Sequence, residues 1–241
     1  MKNQNIRTEM LIGTEALNRL KESRVAVFGA GGVGGYAIEA LARAGVGTIE
    51  IIDHDTVAPS NLNRQIIATH DTIGMEKTET AMKRIHSINP DIQVILHPVF
   101  YLPENSHLFE FEKMDYIVDA IDTVTAKVDL ILKAQENGVP IISSMGTGNR
   151  LDPEQLHIMD IYETKGDPLA RIMRHELRRR GVKKLCVVSS YEEPIKVITD
   201  LEGLETKGNS GRLSPGSSPF VPPAAGLMIA SKVCRDLIGR K

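Results

Sequence analysis

The chain has 241 residues with 29 Lys+Arg against 31 Asp+Glu and a formal charge of −2, long enough to bury a core without covalent staples and too evenly charged for bulk electrostatics to name a nucleic-acid partner. Its two cysteines, Cys186 and Cys234, exclude a disulfide framework and a pair of CxxC zinc clamps. The opening MKNQNIRTEM is polar and no apolar run approaches the ~20 residues of a membrane span, so neither a secretory signal nor a membrane helix is expected and the chain is read as cytoplasmic.

Residues 14–22 (TEALNRLKE) have the spacing of a short amphipathic helix, with Thr14 the expected N-cap behind Gly13. Arg24–Phe28 is a β-rich run, Gly29–Gly35 is dense in glycine, and Tyr36–Ala44 is rich in helix formers. Gly45-Val46-Gly47 stops that helix, and Thr48–Ile52 is a second apolar run ending on Asp53, which completes a βαβ unit. The alternation continues with a helix over Lys77–Ile88, strands over Gln93–Val99 and Tyr116–Ile121, a helix over Val124–Asn137 and a strand over Ile141–Ser144. The last third is less regular. Asp167–Arg180 reads as a basic helix, Lys184–Ser189 as a strand, 201–219 as a polar mobile loop, and Ala224–Leu237 as a helix begun by Pro222-Pro223. Strands alternating with helices predict an α/β fold, a Rossmann-like doubly wound and mostly parallel sheet with helices on both faces. Ligands of such sheets lie beyond the C-terminal strand ends, so Asp53, Asp55, Asp119 and Asp122 are expected near one rim.

Gly29-Ala30-Gly31-Gly32-Val33-Gly34 fits G-x-G-x-x-G between a strand and a helix, where missing β-carbons admit a phosphate to the helix N-terminus. Glycines used only for a tight turn would give the same pattern. Asp53, at the end of the next strand, is placed to accept hydrogen bonds from a ribose. To this point the motif suits NAD as well as ATP. The neighbours are what a triphosphate undergoing cleavage needs: the cations Arg64, in Ser60-Asn61-Leu62-Asn63-Arg64-Gln65, and Lys77, closing Gly74-Met75-Glu76-Lys77, with Asp122 as a metal carboxylate. Either cation alone would read as a solvated surface residue; their positions just beyond adjacent strands carry the reading.

The order of GxGGxG, D-x-D, S-N-L-N-R-Q, G-x-x-K and D-A-I-D resembles the ubiquitin-activating-like superfamily of ThiF, MoeB and HesA proteins, which adenylate carboxylates. Arg7-Thr8-Glu9-Met10-Leu11-Ile12-Gly13 and Gly216-Ser217-Ser218-Pro219-Phe220-Val221-Pro222 look most like the tRNA threonylcarbamoyladenosine dehydratases within it. That resemblance implies ATP and Mg2+ as cofactors, with a monovalent cation left open. It implies phosphate-loop contacts from Gly29, Gly31, Gly32 and Gly34, the ribose on Asp53, the phosphates on Asn61, Arg64 and Lys77, the metal on Asp122, and Asp55 close by. It further implies a homodimer in which Arg7 reaches the neighbouring subunit's site, tRNA as the substrate carrier, and leaves a sulfur-transfer protein open as a partner. The chain is read as one adenylating domain over 1–241, with an N-terminal helical arm (1–23), a nucleotide-binding core (24–150) and a substrate-side part (151–241).

Some dehydratases of this kind are thought to use a cysteine in a C-terminal loop, and none stands between Leu201 and Val233. Cys186, in the run LCVV, and Cys234, between Val233 and Arg235, are read as packing residues. Arg171, Arg174 and Arg178 recur on one expected helix face, joined by Arg179, Arg180, Lys183 and Lys184, as a surface for tRNA phosphates. The competing readings are a sulfur-carrier activator, an NAD-binding oxidoreductase and a nucleotide-binding regulatory module without turnover. The second leaves Arg64, Lys77 and Asp122 without a task.

Overall fold

The computed structural model describes residues 4–196, 206–207, 212–213 and 215–240. The chain opens with α1 (Ile6–Ile12) and α2 (Thr14–Glu22), separated at Gly13, whose φ of 83° breaks the helix. Gly13, not Thr14, is the N-cap of α2; the Thr14 hydroxyl donates instead to Glu9 Oε1 at 2.8 Å. There follow β1 (Arg24–Phe28), α3 (Gly34–Ala44), β2 (Thr48–Ile52), α4 (Lys77–Ile88), β3 (Gln93–His97), β4 (Tyr116–Asp119), α5 (Val124–Glu136) and β5 (Ile141–Ser144). The C-terminal third contributes β6 (Leu156–Asp160), α6 (Pro168–Arg179), β7 (Cys186–Ser190), the short pair β8 (Thr206–Lys207) and β9 (Arg212–Leu213), and α7 (Val221–Leu237). The expected mobile loop over 201–219 lies largely outside the described residues.

One seven-stranded sheet runs β3-β2-β1-β4-β5-β7-β6, parallel throughout except for β6, which pairs antiparallel with β7. Side chains alternate across it, as the two-residue strand period requires. Val25, Val27, Ile49, Ile51, Val118 and Val188 point to the face covered by α2, α3, α4 and α7. Ala26, Phe28, Ile52 and Ile117 point to the other, where α5 and the aromatic cluster of Tyr101, Phe109 and Phe111 lie. Beneath the second half of the sheet, Ala170, Met173 and Leu177 of α6 pack with Val187 and Ile131. Complete burial of each such aliphatic side chain is worth about 1.5–3 kcal/mol. Helices on both faces of a mostly parallel sheet match the expected architecture.

Local chemistry explains where the boundaries moved. Strands β3 and β4 end two residues before the expected ends, at His97 and Asp119. Helix α7 begins at Val221, with Pro222 and Pro223 inside its first turn, where a missing N–H costs nothing because first-turn donors have no intrahelical acceptor. Helix α6 begins behind Asp167, whose carboxylate accepts from Ala170 N at 3.0 Å. Gly226 lets α7 approach α3: a β-carbon there would lie 2.2 Å from Val33 O. No helix among the described residues is long and apolar enough to cross a membrane.

Candidate active site

The ends of β1, β2 and β4 define the site. Gly29 has a φ of 93°, and a β-carbon on it would stand 2.8 Å from Ala120 O. On Gly34, the first residue of α3, a β-carbon would be 1.7 Å from Gly29 O, so only glycine closes this turn. The D-A-I-D segment is thus pressed directly against the glycine loop. Gly32 is hemmed in by Pro222 Cβ and Arg64 Cγ, at 3.1 and 3.3 Å from its would-be β-carbon. Gly31 differs, because the nearest atom to a β-carbon there is Gln65 Nε2 at 3.9 Å. The loop therefore leaves room over Gly31, beside the N-terminus of α3, whose free N–H groups and dipole favour an anion.

Asp53 braces this loop. Its Oδ2 accepts from Ala30 N at 2.7 Å and its Oδ1 from Asp55 N at 2.9 Å. Each oxygen retains a lone pair for a hydroxyl donor. Lys77, the first residue of α4, is buried with its Nζ 2.6 Å from Asp55 Oδ2, while the Asp55 side chain is 50% exposed. His54 Nε2 lies 3.2 Å from Asp55 Oδ1, and its ring packs 4.5 Å from that of Phe100. Asp53, His54 and Asp55 each offer a ligand atom within 4.8 Å of the others. Asp122 lies outside that group and is exposed on the segment after β4.

The S-N-L-N-R-Q segment forms a turn over Pro59–Asn61 beside the loop. Asn61 is buried and its Oδ1 accepts from Ala58 N at 3.1 Å, which leaves the carboxamide nitrogen as the group it can offer a ligand. Arg64 is half-buried, its Nη1 donating to Ser60 O and Asn63 Oδ1 at 2.9 Å each. Burial lowers its guanidinium below the ordinary pKa, yet it stays cationic at neutral pH. Asn63 Nδ2 in turn donates to Ser217 O at 2.9 Å, so the segment leading into α7 borders the same site.

Gly29, Gly31, Gly32, Gly34, Asp53, Asp55, Asn61, Arg64, Lys77 and Asp122 thus share one rim. Arg7 does not join them within the chain. It is exposed on α1, which follows Asn5, and Asn5 Nδ2 sits against Gly45 at the C-terminal end of α3. That is the far end of a helix about 16 Å long from the glycine loop.

The expected basic face of α6 needs correction. Arg174 is directed inward, its Nη1 donating to both the carbonyl and the hydroxyl of Thr164. Arg178 lies 4.9 Å over the Tyr162 ring, and Arg179 and Arg180 pair with Glu176. Arg171, Lys183 and Lys184 are exposed. The C-terminal end of α6 also lies at the opposite rim from the glycine loop. Asp167, at its start, bonds Gly146 N beyond β5 and Ser189 Oγ near the end of β7, whereas Lys184 precedes β7.

Two charged residues that sequence reasoning passed over are buried at this rim. Lys127 Nζ donates to Ile121 O at 3.1 Å and Ser144 O at 2.9 Å and lies 2.9 Å from Asp119 Oδ2, with both side chains 0% exposed. Ser143 Oγ bonds the same carboxylate. Lys127 therefore ties the D-A-I-D segment to the end of β5. Arg150, behind the β5 loop, donates from Nε to Glu192 O at 3.0 Å and faces Asp167 at 3.6 Å. Both cysteines suit packing. Burial pushes the Cys234 thiol up to about 11 and raises that of Cys186, away from the thiolate a nucleophile needs.

Comparison with known proteins agrees with this geometry. The ThiF family model matches residues 3–240. A tRNA threonylcarbamoyladenosine dehydratase of Bacillus subtilis is 41% identical over 99% of this chain and 96% of its own length, and that of Haemophilus influenzae is 39% identical over 94% and 90%. The crystal structure of the E. coli enzyme TcdA in complex with ATP superposes with a TM-score of 0.87 at 32% identity, covering 98% of this chain and 94% of that one. A glycine loop pressed against D-A-I-D, braced by Asp53 and faced by Arg64 and Lys77, is therefore found in a chain that belongs to the ThiF family.

Proposed function

We propose that this chain is an ATP-dependent tRNA threonylcarbamoyladenosine dehydratase, activating the threonyl carboxylate of the modified adenosine beside the anticodon as an acyl-adenylate. The observation that carries the reading is full-length similarity to proteins of that name, joined to a rim on which cations and an open glycine loop converge. A carboxylate is a poor acyl donor because its oxygen would leave as oxide. Its attack on the α-phosphate of ATP expels pyrophosphate and turns that oxygen into part of an AMP leaving group. The ureido nitrogen of the same substrate then attacks the acyl carbon, loses its proton, and expels AMP as the five-membered ring closes. Intramolecular attack needs no protein nucleophile, in keeping with two packed cysteines.

The residues supply charge and alignment. The N-terminus of α3 and the Arg64 guanidinium meet the phosphates, and Lys77 exchanges Asp55 for a phosphate oxygen. Asp53 holds the ribose while keeping the loop braced. Asp122 and Asp55 are hard oxygen donors of the kind magnesium takes, and the ion supplies further neutralisation of the departing pyrophosphate when bound.

The reading extends to a homodimer with residues 1–241 acting as one adenylating unit. Ile6, Met10 and Leu11 of α1 are 51%, 76% and 75% exposed, and Leu227 of α7 is 49% exposed. Burying these residues against a second copy would cover an apolar face and carry Arg7 toward that copy's site. For tRNA, Arg171, Arg178, Lys183 and Lys184 are the contacts left once Arg174 is turned inward and Arg179 and Arg180 are paired with Glu176, and a body as long as tRNA can reach their rim while its anticodon loop lies at the other.

The deciding assay measures pyrophosphate exchange and AMP release with threonylcarbamoyl-modified tRNA, with a small carrier protein ending in Gly-Gly, and with neither. Turnover with the tRNA is expected. Turnover with the carrier alone would replace this reading by sulfur-carrier activation.

A further inference from the structure

Gln65 is 6% exposed, and its Oε1 has no hydrogen-bond partner among the described residues. A buried amide oxygen without a donor costs about 1–3 kcal/mol relative to a satisfied one. An apolar side chain of similar length would avoid that cost, so packing alone does not account for a carboxamide here. The other end of the same group bears on the site. Gln65 Nε2 is the nearest atom to the space a β-carbon on Gly31 would enter, 3.9 Å away, and, Gly31's own chain neighbours aside, nothing else among the described residues stands within 4 Å of that point. Gly31 is the position in the G-x-G-x-x-G loop that the protein leaves open, and Gln65 Nε2 borders the opening. The backbone around Gln65 is fixed, its N–H donating to Asn61 O at 2.9 Å and its carbonyl accepting from Ala68 N at 3.0 Å. The carboxamide is thus held by its own turn rather than by side-chain bonds.

We infer that Gln65 is a nucleotide-contacting residue whose Nε2 donates to a phosphate oxygen seated over Gly31. This rests on the ATP-binding reading above and adds to it a neutral donor beside the cations Arg64 and Lys77. A neutral donor suits that place: it orients the phosphate without a further charge to desolvate beside Arg64, whose guanidinium burial already strains. The contact is charge-assisted, since the acceptor is anionic.

The test compares the full-length protein with Gln65→Met, which keeps length and removes the donor, and Gln65→Glu, which sets a carboxylate against the phosphate. Affinities for ATP and for adenosine are measured by calorimetry, and melting temperature is recorded for each. The wild type binds ATP; failure there would overturn the ATP-binding reading and this inference with it. With wild-type binding established, Gln65→Met is expected to weaken ATP roughly tenfold to a hundredfold, the scale of one hydrogen bond to a charged group. Gln65→Glu is expected to weaken it further, adenosine affinity is unchanged in both, and the melting temperature of Gln65→Met stays level or rises. Unchanged ATP affinity in Gln65→Met, or equal losses for ATP and adenosine, would make Gln65 a packing residue and overturn the inference.

Discussion

Two lysine–aspartate pairs stand at the same rim and do different work. Lys77 and Asp55 meet at 2.6 Å, with the lysine side chain 6% exposed and the aspartate 50% exposed. Lys127 and Asp119 meet at 2.9 Å with neither exposed at all. The first pair opens to solvent on its acidic side, so a phosphate can displace the carboxylate at little desolvation cost. The second is sealed between β4, β5 and α5, and the lysine spends its remaining donors on Ile121 O and Ser144 O. On the proposed function, the charge a ligand must reach is left half open, and the charge that positions that ligand's surroundings is closed off and fully bonded.

The largest effect that could break this contrast is expected at the sealed pair. Replacing Lys127 with methionine leaves Asp119 buried without its cation, and removal of one partner of such a pair costs about 3–5 kcal/mol. Urea denaturation should show that loss; a midpoint within error of the wild type would mean that the pair is not closed as described. Next comes Lys77→Met. Its partner is half in water, so its removal should lower stability by no more than about 1 kcal/mol, while pyrophosphate exchange falls roughly a hundredfold to a thousandfold, the scale of one lost transition-state contact. If instead the protein unfolded and the exchange rate per folded molecule held, the two lysines would have the same role.

Glu50 sharpens the comparison from a third, non-catalytic position. It is 1% exposed on β2. Burial alone would raise its carboxyl, but the bonds from His97 and Arg24 outweigh that and hold it below its ordinary 4.5. A lowered folded-state value gives stability that is present above the unfolded value near 4.5 and lost as the pH falls through the lower folded value. Stability should therefore decline on acidification below about pH 4.5, and Glu50→Gln should be less stable at neutral pH with a shallower acid limb in a series of urea melts. The smallest effect is expected at Cys234→Ala. The thiol is pushed up to about 11 by burial, so pyrophosphate exchange should be unchanged, and its loss would require a cysteine step in the reaction.

How far each of these positions was legible in the sequence depended on whether its environment is local. Asp53 and Lys77 could be placed because a strand or helix boundary lies beside each, and boundary chemistry is written in adjacent residues. Lys127 could not. Within VTAKVDLILKAQE a lysine reads as solvated, and only the pairing of β4 with β5 closes the space around it. Arg174 failed in the opposite sense: helical spacing aligned it with Arg171 and Arg178, but the partner that turns it inward, Thr164, lies outside the helix. Strand β6 had no expectation either, since its LHIMD is a strand through pairing with β7, a segment that follows it by more than twenty residues. Gln65 stood in plain view inside S-N-L-N-R-Q, but its unpartnered oxygen is a fact of packing.

The sequence by itself determined the glycine turn, the alternation of strand and helix, and the chemistry present on the rim. These follow from sterics and periodicity within a few residues: a β-carbon at Gly34 collides with Gly29 O five residues back, whatever the rest of the chain does. Only the tertiary structure decided which charge faces which. The order β3-β2-β1-β4-β5-β7-β6 carries Ser217 to Asn63 across 154 residues and sets Lys127 against Ser144. Burial and hydrogen bonding are properties of what surrounds a group, and for these residues the surroundings come from distant parts of the chain.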